Sequence, residues 1–253
     1  MGRRFRGSKR STRRQKALRE TAQTTLAIAN SRIAAIGVPE LMPPAIETID
    51  AAGRHLLPGV INPPIREPGA PLFDALPDGT IDMPATDHVP HLPEEELRAN
   101  IRDCGCGLPG VETSMPLMLT AINQGRMTLR QYVRASSANP ARAFGLYPRK
   151  GVLQVGADAD IAIVDMTRHG LISPERLHSR SRITPFADRA VQGMPVMTLV
   201  RGKIVMRGDK IVAEPGWGRL VRVQMPPPAV KNADRTTRAI TDFSGASNSF
   251  SPN

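Results

Sequence analysis

The sequence predicts an α/β fold, and three observations carry that prediction. β-patterned stretches lie toward both ends of the chain, and helical patterns fill its middle. An apolar stretch at residues 81–86, IDMPAT, opens directly into a polar cluster of Asp87, His88 and His91. In α/β barrels the chemistry sits at this kind of rim, where a parallel strand ends and its loop begins.

In chain order, residues 24–36, TTLAIANSRIAAI, read as two short strands around Asn30-Ser31, a hairpin signal. Residues 46–50, followed by Gly53, suggest another strand and turn. Residues 56–61, LLPGVI, form an apolar run suited to a strand buried on both faces. Asp78-Gly79 marks the turn before residues 81–86. Pro84 has no N–H to give a ladder, so it weakens that strand or sets it at an edge. Pro93 and the three acids after it open a helix over 93–102. Residues 113–123 form an apolar-rich helix whose methionines serve packing, stopped by Gly125. Thr128 caps a helix to about residue 137, and Asn139-Pro140 opens another to about residue 144, with Gly145 as its stop. Strands are expected at 152–155 and 161–164. A hairpin follows at 196–200 and 203–206 about Arg201-Gly202, continued over 209–212.

A chain of 253 residues is long enough for one domain, or one with a small partner. Its net charge of +11 is concentrated at the start, where the first twenty residues hold nine lysines and arginines against one glutamate. Such a block without apolar period predicts a disordered basic arm over residues 1–23. Basic arms can touch nucleic acid through counterion release, but Phe5 stands alone among the charges and no stacking pattern supports that role. No apolar run nears eighteen residues, so no membrane span is expected, and no secretory core segment is visible. Cys104 and Cys106 stand too close to bridge readily, which favours a reducing, cytoplasmic setting. A CxC pair can hold a soft metal, yet no second pair accompanies it. From residue 225 a PPP run and a polar tract predict a disordered tail to residue 253.

A carboxylate at the end of residues 81–86 can hold a divalent metal and take a proton from metal-bound water. Asp87 is therefore the leading candidate for ligand and proton carrier. The spacing DHxxH belongs to no single metal, and the plainer alternative has Asp87 capping a turn beside two ordinary loop histidines.

Residues 86–91, TDHVPH, closely resemble the TDHAPH signature of the cyclic amidohydrolases: dihydroorotases, hydantoinases and allantoinases. Residues 31–61 resemble the family's lead-in to its first barrel strand, and REPG at 66–69 the sequence just after it. Residues 107–147 resemble the segment following the last barrel strand, and 151–165 and 183–222 its C-terminal β-structure. The resemblance implies a composite β-sandwich built from both chain ends, residues 24–55 and 148–224, around a truncated TIM-barrel remnant at 56–147. Val164, in the apolar run IAIV, then belongs to the sandwich interior. It also implies metal-dependent hydrolysis of a C–N bond in a small cyclic amide or ureide, with zinc as the expected cofactor. Asp87 would be metal ligand and proton shuttle, Arg66 would pair with a substrate carboxylate, and His91 with the backbone at Cys106 and Gly107 would hold the ring.

The departures from the family pattern are equally informative. The family's first barrel strand runs on into an Asp and an HxH pair of metal ligands, whereas this chain has Asn62 and then Pro63-Pro64-Ile65. Only 17 residues separate Gly69 from Asp87, where strands two to seven would need roughly 180 at about 30 per βα unit. The carbamylated lysine and two further histidine ligands of the family fall in that missing part. Strands one and eight of a closed barrel are neighbours, so 56–61 and 81–86 are expected to pair in parallel; the link of 19 residues is long enough for a crossover. The expectation is a catalytically impaired form that does not retain zinc. The alternative is a non-catalytic relative acting as a binding or scaffold partner. A barrel face without its strands would be apolar and would favour a homo-oligomer or a full-length amidohydrolase as partner. For Arg66 and His91 the plainer alternatives are a surface charge and a loop residue.

Overall fold

A computed structural model describes residues 3–6, 24–61, 75–96, 100, 102 and 107–223. The chain divides after Val223, and the unit 224–253, with the expected disordered tail, lies outside the described residues.

The first sheet has four strands in the order β3-β2-β1-β4. Strands β2 (Thr25–Ala29) and β3 (Arg32–Gly37) form the expected hairpin. Asn30 and Ser31 turn it with φ of 50° and 66°, the two positive values that a twist-matched two-residue turn demands. Strand β1 (Arg3–Arg6) lies between β2, antiparallel, and β4 (Glu47–Asp50), parallel. The expectation of a disordered arm through residue 23 is therefore corrected for Arg3–Arg6. Ladder bonds use backbone groups, so a charge-rich segment can fill a slot flanked by two willing strands. Residues 1–2 and 7–23 lie outside the described set.

The second sheet is antiparallel, in the order β5-β6-β7-β8-β9. Its strands are β5 (His55–Pro58), β6 (Ile161–Leu171), β7 (Ala190–Val200), β8 (Lys203–Arg207) and β9 (Lys210–Ile211). Three expectations fail here. The apolar run expected as a first barrel strand pairs antiparallel with β6, Leu56 opposite Ile163, rather than parallel with residues 81–86. Residues 81–86 carry no ladder, which accords with Pro84 in their midst. Residues 152–155, expected as a strand, are irregular; Gly151 and Gly156, at φ of 78° and 87°, bend the chain on either side.

The described residues include helices α1 (Pro93–Glu96), α2 (Val111–Asn123), α3 (Leu129–Val133) and α4 (Asn139–Ala143), with a wide turn at Arg134–Ala138 joining the last two. Thr128 caps α3 as expected and closes a reciprocal box: its hydroxyl accepts from the Gln131 N–H at 3.1 Å, and the Gln131 side chain accepts from the Thr128 N–H at 2.8 Å.

Strand β6 lies at the centre of the packing because its alternate residues serve two cores. Ile161 and Ile163 join Leu199 with Leu26, Ile28 and Ile33 of the first sheet. Val164 and Met166 point the other way, toward Leu57, Leu119 and Ile122. Val164 is thus fully buried against the helices and not between the sheets, contrary to expectation. Beside the first core sits Asp158, buried, with Arg32 Nε at 3.2 Å, Arg149 Nε at 3.0 Å and Lys150 Nζ at 3.0 Å. Burial alone would raise its carboxyl; hydrogen bonds and charge from Lys150, then Arg149, hold it below the usual range.

Candidate functional site

Two segments, 86–91 and 107–111, meet to form the candidate site. Val89 N–H donates to the Leu108 carbonyl at 3.2 Å, and His88 bridges Leu108 in parallel register. Their closeness depends on two glycines. At Gly107, with φ of 153°, a Cβ would stand 2.4 Å from Cβ of Val89. At Gly110 it would stand 2.8 Å from Cβ of Thr86. Gly107 therefore enters the site as a close-approach position, next to Val89 of the TDHVPH loop.

Asp87 is exposed and sits at φ of 45°, a left-handed value that Asp tolerates better than most residues. His88 is turned to a structural task. Its Nδ1 accepts from the N–H of Gly110 at 3.1 Å and of Val111 at 3.4 Å. These are orphan amides at the start of α2, so the ring serves as a cap and that nitrogen carries no proton. His91 places Nδ1 3.4 Å from Oε2 of Glu95, while its N–H donates to the Val89 carbonyl at 3.0 Å. Glu95 also accepts the Leu92 N–H at 2.9 Å and pairs with Arg180. The Leu92 amide first, then Arg180, bring its carboxyl down to about 2.

Asp87, His91 and Gly107 thus belong to one loop cluster, whereas Arg66 and Cys106 lie outside the described residues. Glu95, Arg180 and Gly110 were not foreseen as parts of this site. The three acids after Pro93 signalled a helix start, and nothing in the sequence linked one of them to Arg180 across 85 residues.

A zinc site takes three or four protein groups. Among the described residues no group of three His, Cys, Asp or Glu side chains is arranged to share a metal ion. One nitrogen of His88 is already taken by backbone amides. The described residues do not fit the metal. A cavity of about 460 Å³ lies behind the loop, bordered by Gly59, Ile61, Thr86, Ser114 and Lys150. Lys150 is committed there to Asp158 and Asp160.

The family model described as the amidohydrolase family matches residues 14–205. The chain belongs to the amidohydrolase family. Among its amidohydrolase relatives, a dihydroorotase from Methanosarcina acetivorans is 45% identical over 170 residues, covering 64% of this chain and 35% of that protein. An L-hydantoinase from Paenarthrobacter aurescens is 38% identical over 167 residues, covering 64% and 36%. Among solved structures, a D-hydantoinase (dihydropyrimidinase) from Thermus sp. superposes with a TM-score of 0.58 at 36% identity, covering 60% of this chain and 34% of that one. The L-hydantoinase from Arthrobacter aurescens gives 0.53 at 37% identity, with 56% and 32% covered. The chain spans about a third of the length of these relatives. No helix among the described residues is long and apolar enough to cross a membrane.

Proposed function

We propose that this chain is a truncated and catalytically impaired form of a metal-dependent cyclic amidohydrolase, of the kind that opens a small cyclic amide or ureide at its C–N bond. The single observation that supports this best is TDHVPH at residues 86–91 in a chain that shares only about a third of the relatives' length. In an intact enzyme of this kind a zinc ion would activate the water that attacks the ring. Asp87 would be the surviving ligand and proton carrier; Arg66, His91 and the backbone at Cys106 and Gly107 would hold the substrate. The matching fold reading is a composite β-sandwich drawn from residues 24–55 and 148–224, to which the β5 ladder adds residues 56–58, with the rest of 56–147 as the barrel remnant. Two sheets that share a core between Ile28 and Ile161 support it.

Elemental analysis of the purified chain, together with hydrolysis assays on dihydroorotate, hydantoin and allantoin, tests the proposal. The expected result is no stoichiometric zinc and no turnover. One or two tightly held metals per chain with turnover of any of the three would overturn the impaired reading and name the substrate. A second reading, a non-catalytic binding or scaffold partner, draws support from His88 and His91, whose rings face backbone amides and Glu95. Co-elution with a full-length amidohydrolase on size-exclusion chromatography, without turnover, would favour it.

A further inference from the structure

The connection between β6 and β7 meets the candidate site through Arg180, which pairs with Glu95. Its base is closed by two backbone bonds: Ile172 N–H donates to the Arg189 carbonyl at 3.0 Å, and Asp188 N–H donates to the Ile172 carbonyl at 2.9 Å. The residues between, 173–188, form a compact loop whose ends are adjacent, the geometry of an Ω-loop. This loop borders a groove of about 840 Å³ that α2, β7 and β8 line from the other sides with Met115, Pro116, Val191, Met194 and Val205.

Charge holds the loop down at three places. Glu112, in the first turn of α2, accepts from the N–H of His178 at 2.7 Å and of Ser179 at 3.1 Å, and meets Nδ1 of His178 at 2.9 Å. Glu95 of α1 takes Arg180. Asp209, between β8 and β9, takes Arg176 and, at 3.2 Å, also Arg168. The apolar anchorage is slighter: Ile172 at the base and Leu177 are buried, with Ser181 and Thr184 as buried polar residues, whereas Ile183 is exposed. Exposed ion pairs are individually weak and weaken further in salt. A segment fastened by them opens more readily than one fastened by buried apolar side chains.

We propose that residues 172–189 form an electrostatically latched strap, which lifts from the groove about its Ile172–Arg189 base and so gates access to it. The latch is tripartite, with Glu95 on α1, Glu112 on α2 and Asp209 in the turn between β8 and β9. Raising the ionic strength or neutralising the carboxylates opens the strap while both cores stay intact.

The test is limited trypsin digestion of the full chain, with cleavage at Arg176, Arg180 and Arg182 mapped by mass spectrometry. Cleavage at Arg149 and Lys150 reports on the body of the fold. The double variant Glu112→Gln with Asp209→Asn should raise the initial rate of strap cleavage about tenfold, with no change at Arg149 and Lys150. High salt should bring the wild type toward the variant, and ANS fluorescence should rise in parallel as apolar groove walls are exposed. Glu112→Asp with Asp209→Glu, which keeps both charges, should remain near wild type. Strap cleavage that is unchanged in the neutral variant would overturn the proposal. So would cleavage that rises only in step with Arg149 and Lys150, or that is indifferent to salt.

Discussion

Replacing Val164 with Asp puts a carboxylate at a fully buried position between β6 and the helices, among Leu57, Leu119 and Met166. The lost apolar burial costs about 2 kcal/mol, and a buried charge without a partner adds roughly 3 kcal/mol or more. The sum, about 5 kcal/mol, rivals the whole stability of an ordinary domain. With a urea slope of about 2 kcal/mol/M it moves the unfolding midpoint by roughly 2.5 M. Val164→Ala, which only removes methyl groups, should cost about 1–3 kcal/mol and remain measurable if the Asp variant fails to fold. Asp87→Ala is the comparison. Asp87 is exposed at φ of 45°, so the change should cost about 1 kcal/mol, part of it from placing Ala in a left-handed conformation. Urea unfolding of all three variants decides. If Asp87→Ala proves more destabilising than Val164→Ala, the packing-centred account fails, and an organised polar or metal site at Asp87 becomes the better explanation.

Three further outcomes are expected. Removing residues 1–6 leaves β2 and β4 without the strand between them, so the melting temperature should fall by several degrees; an unchanged value would show that Arg3–Arg6 add nothing. Asp158→Asn leaves Arg32, Arg149 and Lys150 gathered around a neutral group, a loss of about 3 kcal/mol in chemical denaturation, and a change near zero would refute a stabilising role for the Asp158 charge. Burial holds His55 below its ordinary 6.5 against the opposing charge of Asp165. The unfolded chain therefore binds the proton first, and stability present above 6.5 is lost as the pH falls through the window below it. His55→Gln should flatten the dependence of the urea midpoint between about pH 7 and about pH 5, and an unaltered slope would assign it elsewhere.

The regular elements with a clear apolar period were legible: the β2–β3 hairpin, the α2 helix and its Gly125 stop, the Thr128 cap, and the strands about Arg201-Gly202. Strand β1 was not, because its four residues RRFR read as part of a charge block, and only its neighbours supply a reason to be extended. The partner of His55–Pro58 was missed for a related cause. An apolar run says that a strand is buried but not which edge it meets, and here Val164 on β6 took the place expected of a barrel neighbour. The candidate loop itself could be found from TDHVPH. The tasks of its histidines could not, since the amides of Gly110 and Val111 and the carboxylate of Glu95 reach them only through the fold.

His88 gives its ring nitrogen to the first amides of α2, so one letter of the motif does architectural work whether or not any metal is bound. Gly107 and Gly110 are likewise required by the closeness of Val89 and Thr86 rather than by a ligand. The motif therefore doubles as a joint in the scaffold: His88 ties its loop to the start of α2, and Asp87 stands exposed beside it.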